Sequence, residues 1–121
     1  MKLFIEKESL AGDVKKIFTT CYPFLKIEFY KRPFLPNNPA MKKETISPQT
    51  ALLQLARIQG RKGIDIGQSR TVKELENDFE SFGLFAEVFR KSGRVWIETS
   101  LTNDWTLQQQ NLEGEEITRG V

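Results

Sequence analysis

The same strand–helix–strand pattern occurs twice in the sequence, and this repeat limits the possible folds more than any other feature. Residues 2–6 and 62–66 alternate apolar and polar side chains, and each is followed by apolar residues at helical spacing. A second alternating segment follows each predicted helix, at 25–31 and at 84–90. Two such units are the components of a ferredoxin-like sandwich, in which two helices cover one face of a four-stranded sheet.

The two units match position by position. The corresponding residues are Leu3 and Ile64, Ile5 and Ile66, Val14 and Leu75, Phe18 and Phe79, and, after a contraction of two residues, Leu25, Ile27 and Phe29 with Leu84, Ala86 and Val88. We therefore predict an α+β protein with a single domain over residues 1–121. Its two split βαβ units form a ferredoxin-like two-layer sandwich with an extra C-terminal hairpin strand at 94–98 and an ordered tail. Another two-layer α+β arrangement of the same elements is the alternative.

Residues at the helix ends predict where two helices begin. Ser9 is the expected N-cap of the helix that ends near Cys21. Thr71, with Glu74 three residues later, predicts a capping box for the helix over 72–81. The carboxylates of that helix, Glu76 among them, are expected on its solvated face.

Two further segments have a distinct composition. Three prolines make 32–47 a Pro-rich loop, and the sequence Ser-Pro at its end predicts a helix over 48–58. Residues 99–121 form an acidic C-terminal segment that is predicted to be helical from Trp105.

Strand alternation predicts that one face of the sheet is mainly aromatic. Side chains two residues apart share a face of a strand, so the face opposite the helices carries Phe4, Tyr30, Phe85, Phe89 and Trp96. Monomers rarely expose so much apolar surface. We expect the helix at 48–58, the C-terminal segment or a second copy of the chain to cover it, unless it binds a partner.

Basic residues near these rings raise a nucleic-acid alternative. Arg90, Lys91 and Arg94 lie at strand ends, where they could hold phosphates while the rings stack on bases. Residues 31–73 carry nine basic and two acidic side chains. The total charge of only +2, and the presence of Glu28 and Glu87 among the aromatics, argue against this alternative.

The absence of histidine restricts the possible catalytic chemistry more than any other feature of the sequence. It excludes the Ser-His-Asp and Cys-His arrangements, and with one cysteine, Cys21, no structural zinc site is expected. We predict no cofactor, no metal and no enzymatic activity; a carboxylate or Cys21 enzyme is the least favoured hypothesis. A single cysteine fits a reducing compartment, and no apolar run approaches the ~20 residues of a membrane span, which predicts a cytoplasmic protein.

The C-terminal third carries a resemblance. Residues 88–93, 96–99 and 101–107, followed by Gln110-Asn111 and Gly114, resemble small uncharacterised proteins of Bacteroidetes-type bacteria. The resemblance implies a bacterial cytoplasmic protein and an ordered segment at 99–114, with Trp105 docked on the body. No activity is established for that family, so it implies no catalytic or binding residue.

These observations predict a non-enzymatic protein-interaction module or a homo-oligomer. It would use the aromatic sheet face, a strand edge or the C-terminal segment, with Trp105 among the binding residues. The alternative is a weak binder of single-stranded nucleic acid through the aromatic and basic residues of the sheet.

Overall fold

A computed structural model of the chain describes residues 1–6, 8–31, 44–52 and 60–120. The elements are β1 (Lys2–Ile5), α1 (Ala11–Cys21), β2 (Leu25–Tyr30), β3 (Lys62–Asp65), α2 (Val72–Ser81), β4 (Phe85–Ser92), β5 (Val95–Glu98), a short 3-10 turn (Ser100–Thr102) and α3 (Leu107–Arg119). The predicted α+β class is confirmed, because three helices pack with antiparallel sheets.

The described strands form two sheets. One is the pair β1–β3, and the other has the order β2–β4–β5, with antiparallel pairing throughout. The single four-stranded sheet of a ferredoxin-like sandwich is therefore not confirmed. Each βαβ unit instead contributes its first strand to one sheet and its second strand to the other.

The sequence repeat appears directly in the strand register. Leu3 lies opposite Ile64, its counterpart in the repeat. Glu28 likewise lies opposite Glu87, its counterpart once the contraction of two residues is taken into account. An antiparallel ladder centred on corresponding residues has a local two-fold axis through its centre. The two units are thus related by an approximate two-fold rotation in both sheets.

The repeat extends beyond the βαβ units into the turns that follow them. In each unit the first two N–H groups of the helix donate to carbonyl groups of a later turn. The pairs are Ala11 with Thr50 and Gly12 with Pro48 in the first unit, and Val72 with Trp105 and Lys73 with Asn103 in the second. Helix N-termini leave these donors without intrahelical partners, so the turns satisfy them.

This capping explains why a helix does not begin at Pro48 as predicted. A first helical turn would pair the N–H of Leu52 with the carbonyl of Pro48, but Leu52 donates to Ser9 and the Pro48 carbonyl accepts from Gly12. Residues 48–50 are therefore a turn and Ala51 forms a β-bridge with Leu10. The rest of that predicted helix, and the Pro-rich loop up to residue 43, lie outside the described residues.

The local sequence predicted the first residue of α2 correctly but not that of α1. The capping box of Thr71 and Glu74 is confirmed, with reciprocal side-chain to backbone hydrogen bonds of 3.1 and 3.0 Å. The N-cap of α1 is Leu10 rather than Ser9, because the Ser9 hydroxyl accepts from the N–H of Glu6 instead.

One apolar core joins both sheets to the inner faces of α1 and α2. Its largest fully buried side chains include Phe18, Phe29, Phe79, Leu25, Ile27, Ile64 and Leu75. The rings of Phe29 and Phe79 meet edge to face with their centres 5.2 Å apart. Because these residues come from both units, neither unit completes its core without the other.

The C-terminal segment is an ordered third helix. α3 packs on β4, begins at a capping box formed by Thr106 and Gln109, and buries Leu107 completely. Gly114 allows the close approach, since a Cβ there would lie 2.9 Å from the Cβ of Phe24 and 3.1 Å from its carbonyl oxygen.

We expect Gly114→Ala to destabilise the protein by about 1–2 kcal/mol. Overpacking against backbone costs about 1–3 kcal/mol, and the higher helix propensity of alanine offsets up to about 1 kcal/mol. Urea unfolding would measure the loss. The exposed Glu116→Ala on the same helix is the control and should change stability by less than about 0.5 kcal/mol; equal stability of wild type and Gly114→Ala would contradict the close contact.

Candidate binding groove at the edge of β4

The structure brings together most of the aromatic residues predicted for one face. Tyr30, Phe85, Phe89 and Trp96 share the outer face of the β2–β4–β5 sheet, as the pairings Tyr30–Phe85 and Lys91–Trp96 require. Phe4 lies on the other sheet, where the Arg61 guanidinium carbon is 3.7 Å from its ring centre.

This outer face is not a bare aromatic platform. The Lys26 ammonium lies 5.3 Å from the centre of the Phe89 ring and 5.2 Å from that of Trp96, within the range of cation–π attraction. Lys91 approaches Trp96 to 6.0 Å. Tyr30 is only 6% exposed. The two lysines and the burial of Tyr30 thus cover much of the aromatic surface that strand alternation predicted to be exposed.

The basic residues predicted to flank the aromatic face do not all lie beside it. Arg90 lies on the inner face against α3, donates to the Gln110 side chain at 2.9 Å and lies 5.6 Å from the ring centre of Trp105. It therefore holds α3 on the sheet and does not flank the aromatic face. Arg94 is exposed in the hairpin turn after Gly93.

A groove runs along β4 where β5 stops short. β5 pairs with Phe89–Ser92 only, although β4 begins four residues earlier at Phe85. The groove has a volume of about 500 Å³. α2 forms one wall with Glu76 and Glu80, and the segment 98–103 forms the other.

The floor of this groove is an open strand edge. The N–H of Lys91 donates to the carbonyl of Phe24, so every second residue of β4, counted from Lys91, forms backbone hydrogen bonds to β2. The backbone N–H and carbonyl groups of Val88 and Ala86 therefore point away from β2, toward the groove. Val88 is satisfied, since its N–H donates to Glu76 at 3.0 Å and its carbonyl accepts from the Thr99 hydroxyl at 2.7 Å. Within the described ranges, no group bonds to the N–H or the carbonyl of Ala86 on this edge.

Most of the charged side chains in the described lining of the groove are carboxylates. Its described lining contains four carboxylates and one ammonium group, from Glu76, Glu80, Glu87, Glu98 and Lys73. Burial raises the pKa of Glu76 to about 7, the nearby charge of Glu87 raises it further, and the hydrogen bond from Val88 acts in the opposite direction. Burial also raises the pKa of Tyr30, with a further contribution from Glu87, which accepts a hydrogen bond from its hydroxyl.

Sequence reasoning missed the central residue of this site. Glu76 was expected on the solvated face of α2, but it is half-buried and reaches the β4 backbone. One signal could have identified it: in the repeat, Glu76 falls one residue after Leu75 and therefore corresponds to Lys15, a reversal of charge.

No family model, no curated protein and no solved structure matches this chain. Among residues 1–6, 8–31, 44–52 and 60–120, no group of three or more acidic or cysteine side chains is arranged to hold a metal ion. In the same residues, no helix combines the length and the apolar character needed to cross a bilayer.

Proposed function

We propose that this protein is a non-enzymatic interaction module that binds an extended segment of a partner protein at the edge of β4. The observation that carries the proposal is the outward-facing backbone of Ala86 at the floor of the groove. Open strand edges pair readily with another extended chain, and recognition domains use this mode of binding.

The groove suggests how such a segment would be held. A residue placed opposite Ala86 would exchange two backbone hydrogen bonds with it and so lie in line with β5. The bonds that Glu76 and Thr99 make to Val88 would end the pairing on that side. The segment would therefore be short, and its side chains would alternate between the α2 wall and the outer face beside Phe85.

The nucleic-acid alternative has less support. Arg90, one of the basic residues expected to hold phosphates, lies on the inner face of the sheet and donates to the Gln110 side chain instead. Self-association is the second form of the same proposal, in which the extended segment comes from another copy of the chain.

The substitution Ala86→Pro tests the proposal. Proline removes the N–H that faces the groove, so we expect binding to be lost. The substitution breaks no hydrogen bond to β2, so we expect the fold to persist. Tagged wild type and variant, expressed at native level, would be compared by quantitative mass spectrometry of the captured proteins, with and without nuclease. Circular dichroism would check the fold.

The matched control is Glu116→Ala, which leaves the groove intact. A partner retained by wild type and by the control, resistant to nuclease and lost from Ala86→Pro, would support the proposal; a second tagged copy of the chain would reveal self-association. Partners retained equally by Ala86→Pro would overturn it, and a captured set that disappears with nuclease would favour the nucleic-acid alternative.

A further inference from the structure

One aromatic side chain, that of Phe85, lies at the open part of the β4 edge. Its ring is half-buried on the outer face of the sheet and lines the groove beside Ala86. Tyr30 of β2 is its neighbour on one side, whereas β5 does not reach it on the other. Among the residues that the structure describes, no ring or cation stacks on Phe85. The ring therefore offers a contact to a segment that enters the groove.

The hydrogen-bond pattern of β4 determines which partner residue would meet this ring. The backbone groups of Ala86 point to the groove, whereas those of Phe85 point to β2. In an antiparallel pair, one partner residue lies opposite Ala86 and the next residue toward the partner's C-terminus lies opposite Phe85. That second pair is of the non-hydrogen-bonded kind, in which the two side chains share a face and approach most closely.

The short opening of the edge favours antiparallel pairing. An antiparallel segment needs only one residue in place to bond both the N–H and the carbonyl of Ala86. A parallel segment bonds these two groups with different residues, one on each side, so its backbone must extend further toward Val88. Glu76 and Thr99 already bond the backbone groups of Val88 there.

Resting on the proposed function, we infer that the bound segment runs antiparallel to β4 and carries an aromatic residue directly after the residue opposite Ala86. Its ring packs beside Phe85 and extends the row that begins with Tyr30. β5 shows the same arrangement further along the edge, since it runs antiparallel to β4 and contributes Trp96 to this face. Aromatic pairs on neighbouring strands add to the stability of a sheet.

Two capped, uncharged peptides test the inference: acetyl-Thr-Thr-Thr-Tyr-Thr-amide and the same peptide with Thr in place of Tyr. Each would be titrated into the ¹⁵N-labelled protein, with the amide signal of Ala86 as the readout of edge pairing. We expect both peptides to shift this signal and the Tyr peptide to bind about fivefold more tightly, which is the usual worth of an aromatic pair.

Two variants show where the aromatic residue is recognised. Phe85→Thr removes the ring beside the groove, so it should bind the two peptides with equal affinity. Phe4→Thr is the matched control, because it removes a more exposed phenyl ring from the β1–β3 sheet and should keep the fivefold preference. Circular dichroism would check the fold of both variants.

A nitroxide label tests the direction of the segment in the wild-type protein. Antiparallel pairing places the C-terminus of the peptide toward Leu84 and its N-terminus toward Thr99, which follows β5. A label at the C-terminus of the Tyr peptide should therefore broaden the amide signal of Leu84 more than that of Thr99. A label at the N-terminus should have the opposite effect.

The outcomes separate this inference from the proposed function. Equal affinity of the two peptides for wild type, with the Ala86 signal shifted by both, overturns the aromatic preference and leaves strand pairing standing. A fivefold preference that persists in Phe85→Thr, or broadening in the reverse pattern, also overturns the inference. Failure of both peptides to shift the Ala86 signal at millimolar concentration overturns the inference and the proposed function together.

Discussion

Phe79→Ala should destabilise the protein by about 3–5 kcal/mol, the usual cost of removing a buried phenyl group. Phe79 is 1% exposed and its ring packs edge to face against Phe29, a residue of the other repeated unit. The substitution therefore removes a contact between α2 and β2 as well as apolar burial. Urea unfolding followed by circular dichroism would measure the loss as a shift of the midpoint at constant slope.

The repeat supplies a matched comparison for this substitution. Phe18 is the counterpart of Phe79, is equally buried and packs against Tyr22, so Phe18→Ala should cost a similar amount. Phe85, on the outer face and half-buried, should cost distinctly less. A loss below about 1 kcal/mol for Phe79→Ala, or no difference between Phe79→Ala and Phe85→Ala, would contradict the packing of α2 on the sheet.

Local sequence determined most of the elements because their signals lie within a few residues. The capping box at Thr71 needs only Glu74, and the strand at Lys2–Ile5 needs only its own alternation. Pairing between strands is different, since alternation identifies which side chains share a face but not which strand lies beside them. The strands and helices of the two repeated units were therefore predicted correctly, whereas the division of the strands between two sheets was not predicted.

Distant hydrogen bonds account for the errors in the first unit. Ser-Pro at 47–48 is a sound local signal for a helix start, but the carbonyl of Pro48 serves the N-terminus of α1, and no local pattern contains that information. Arg90 is a different kind of error. The alternation that places Val88 inward also places Arg90 inward, so its position against Gln110 could have been deduced from sequence.

The candidate groove depended on register, which the sequence did not specify. It exists because β5 ends its pairing at Phe89 while β4 continues to Phe85. Glu76 was assigned to solvent because acids on exposed helix faces are common. Only its place in the repeat, opposite in charge to Lys15, distinguished it from the neighbouring carboxylates.

Glu76→Gln should stabilise the protein at pH 8 by roughly 3 kcal/mol at most and leave it unchanged near pH 4. Burial raises the pKa of Glu76 from 4.5 to about 7 in the folded state, so the folded protein holds this proton more tightly than the unfolded chain. The resulting stability is fully present below pH 4.5 and is lost as the pH rises through 7. Glutamine remains neutral throughout and can still accept the hydrogen bond from Val88.

Urea unfolding of wild type and variant at intervals from pH 4 to pH 8.5 would measure this difference. The two stability curves should coincide at the acid end and diverge between pH 4.5 and pH 7, with the variant above the wild type. Glu116→Gln on the exposed face of α3 removes one carboxylate without changing the groove, and its curve should follow that of wild type. Parallel curves for Glu76→Gln and wild type would contradict the raised pKa of the Glu76 carboxylate in the folded protein.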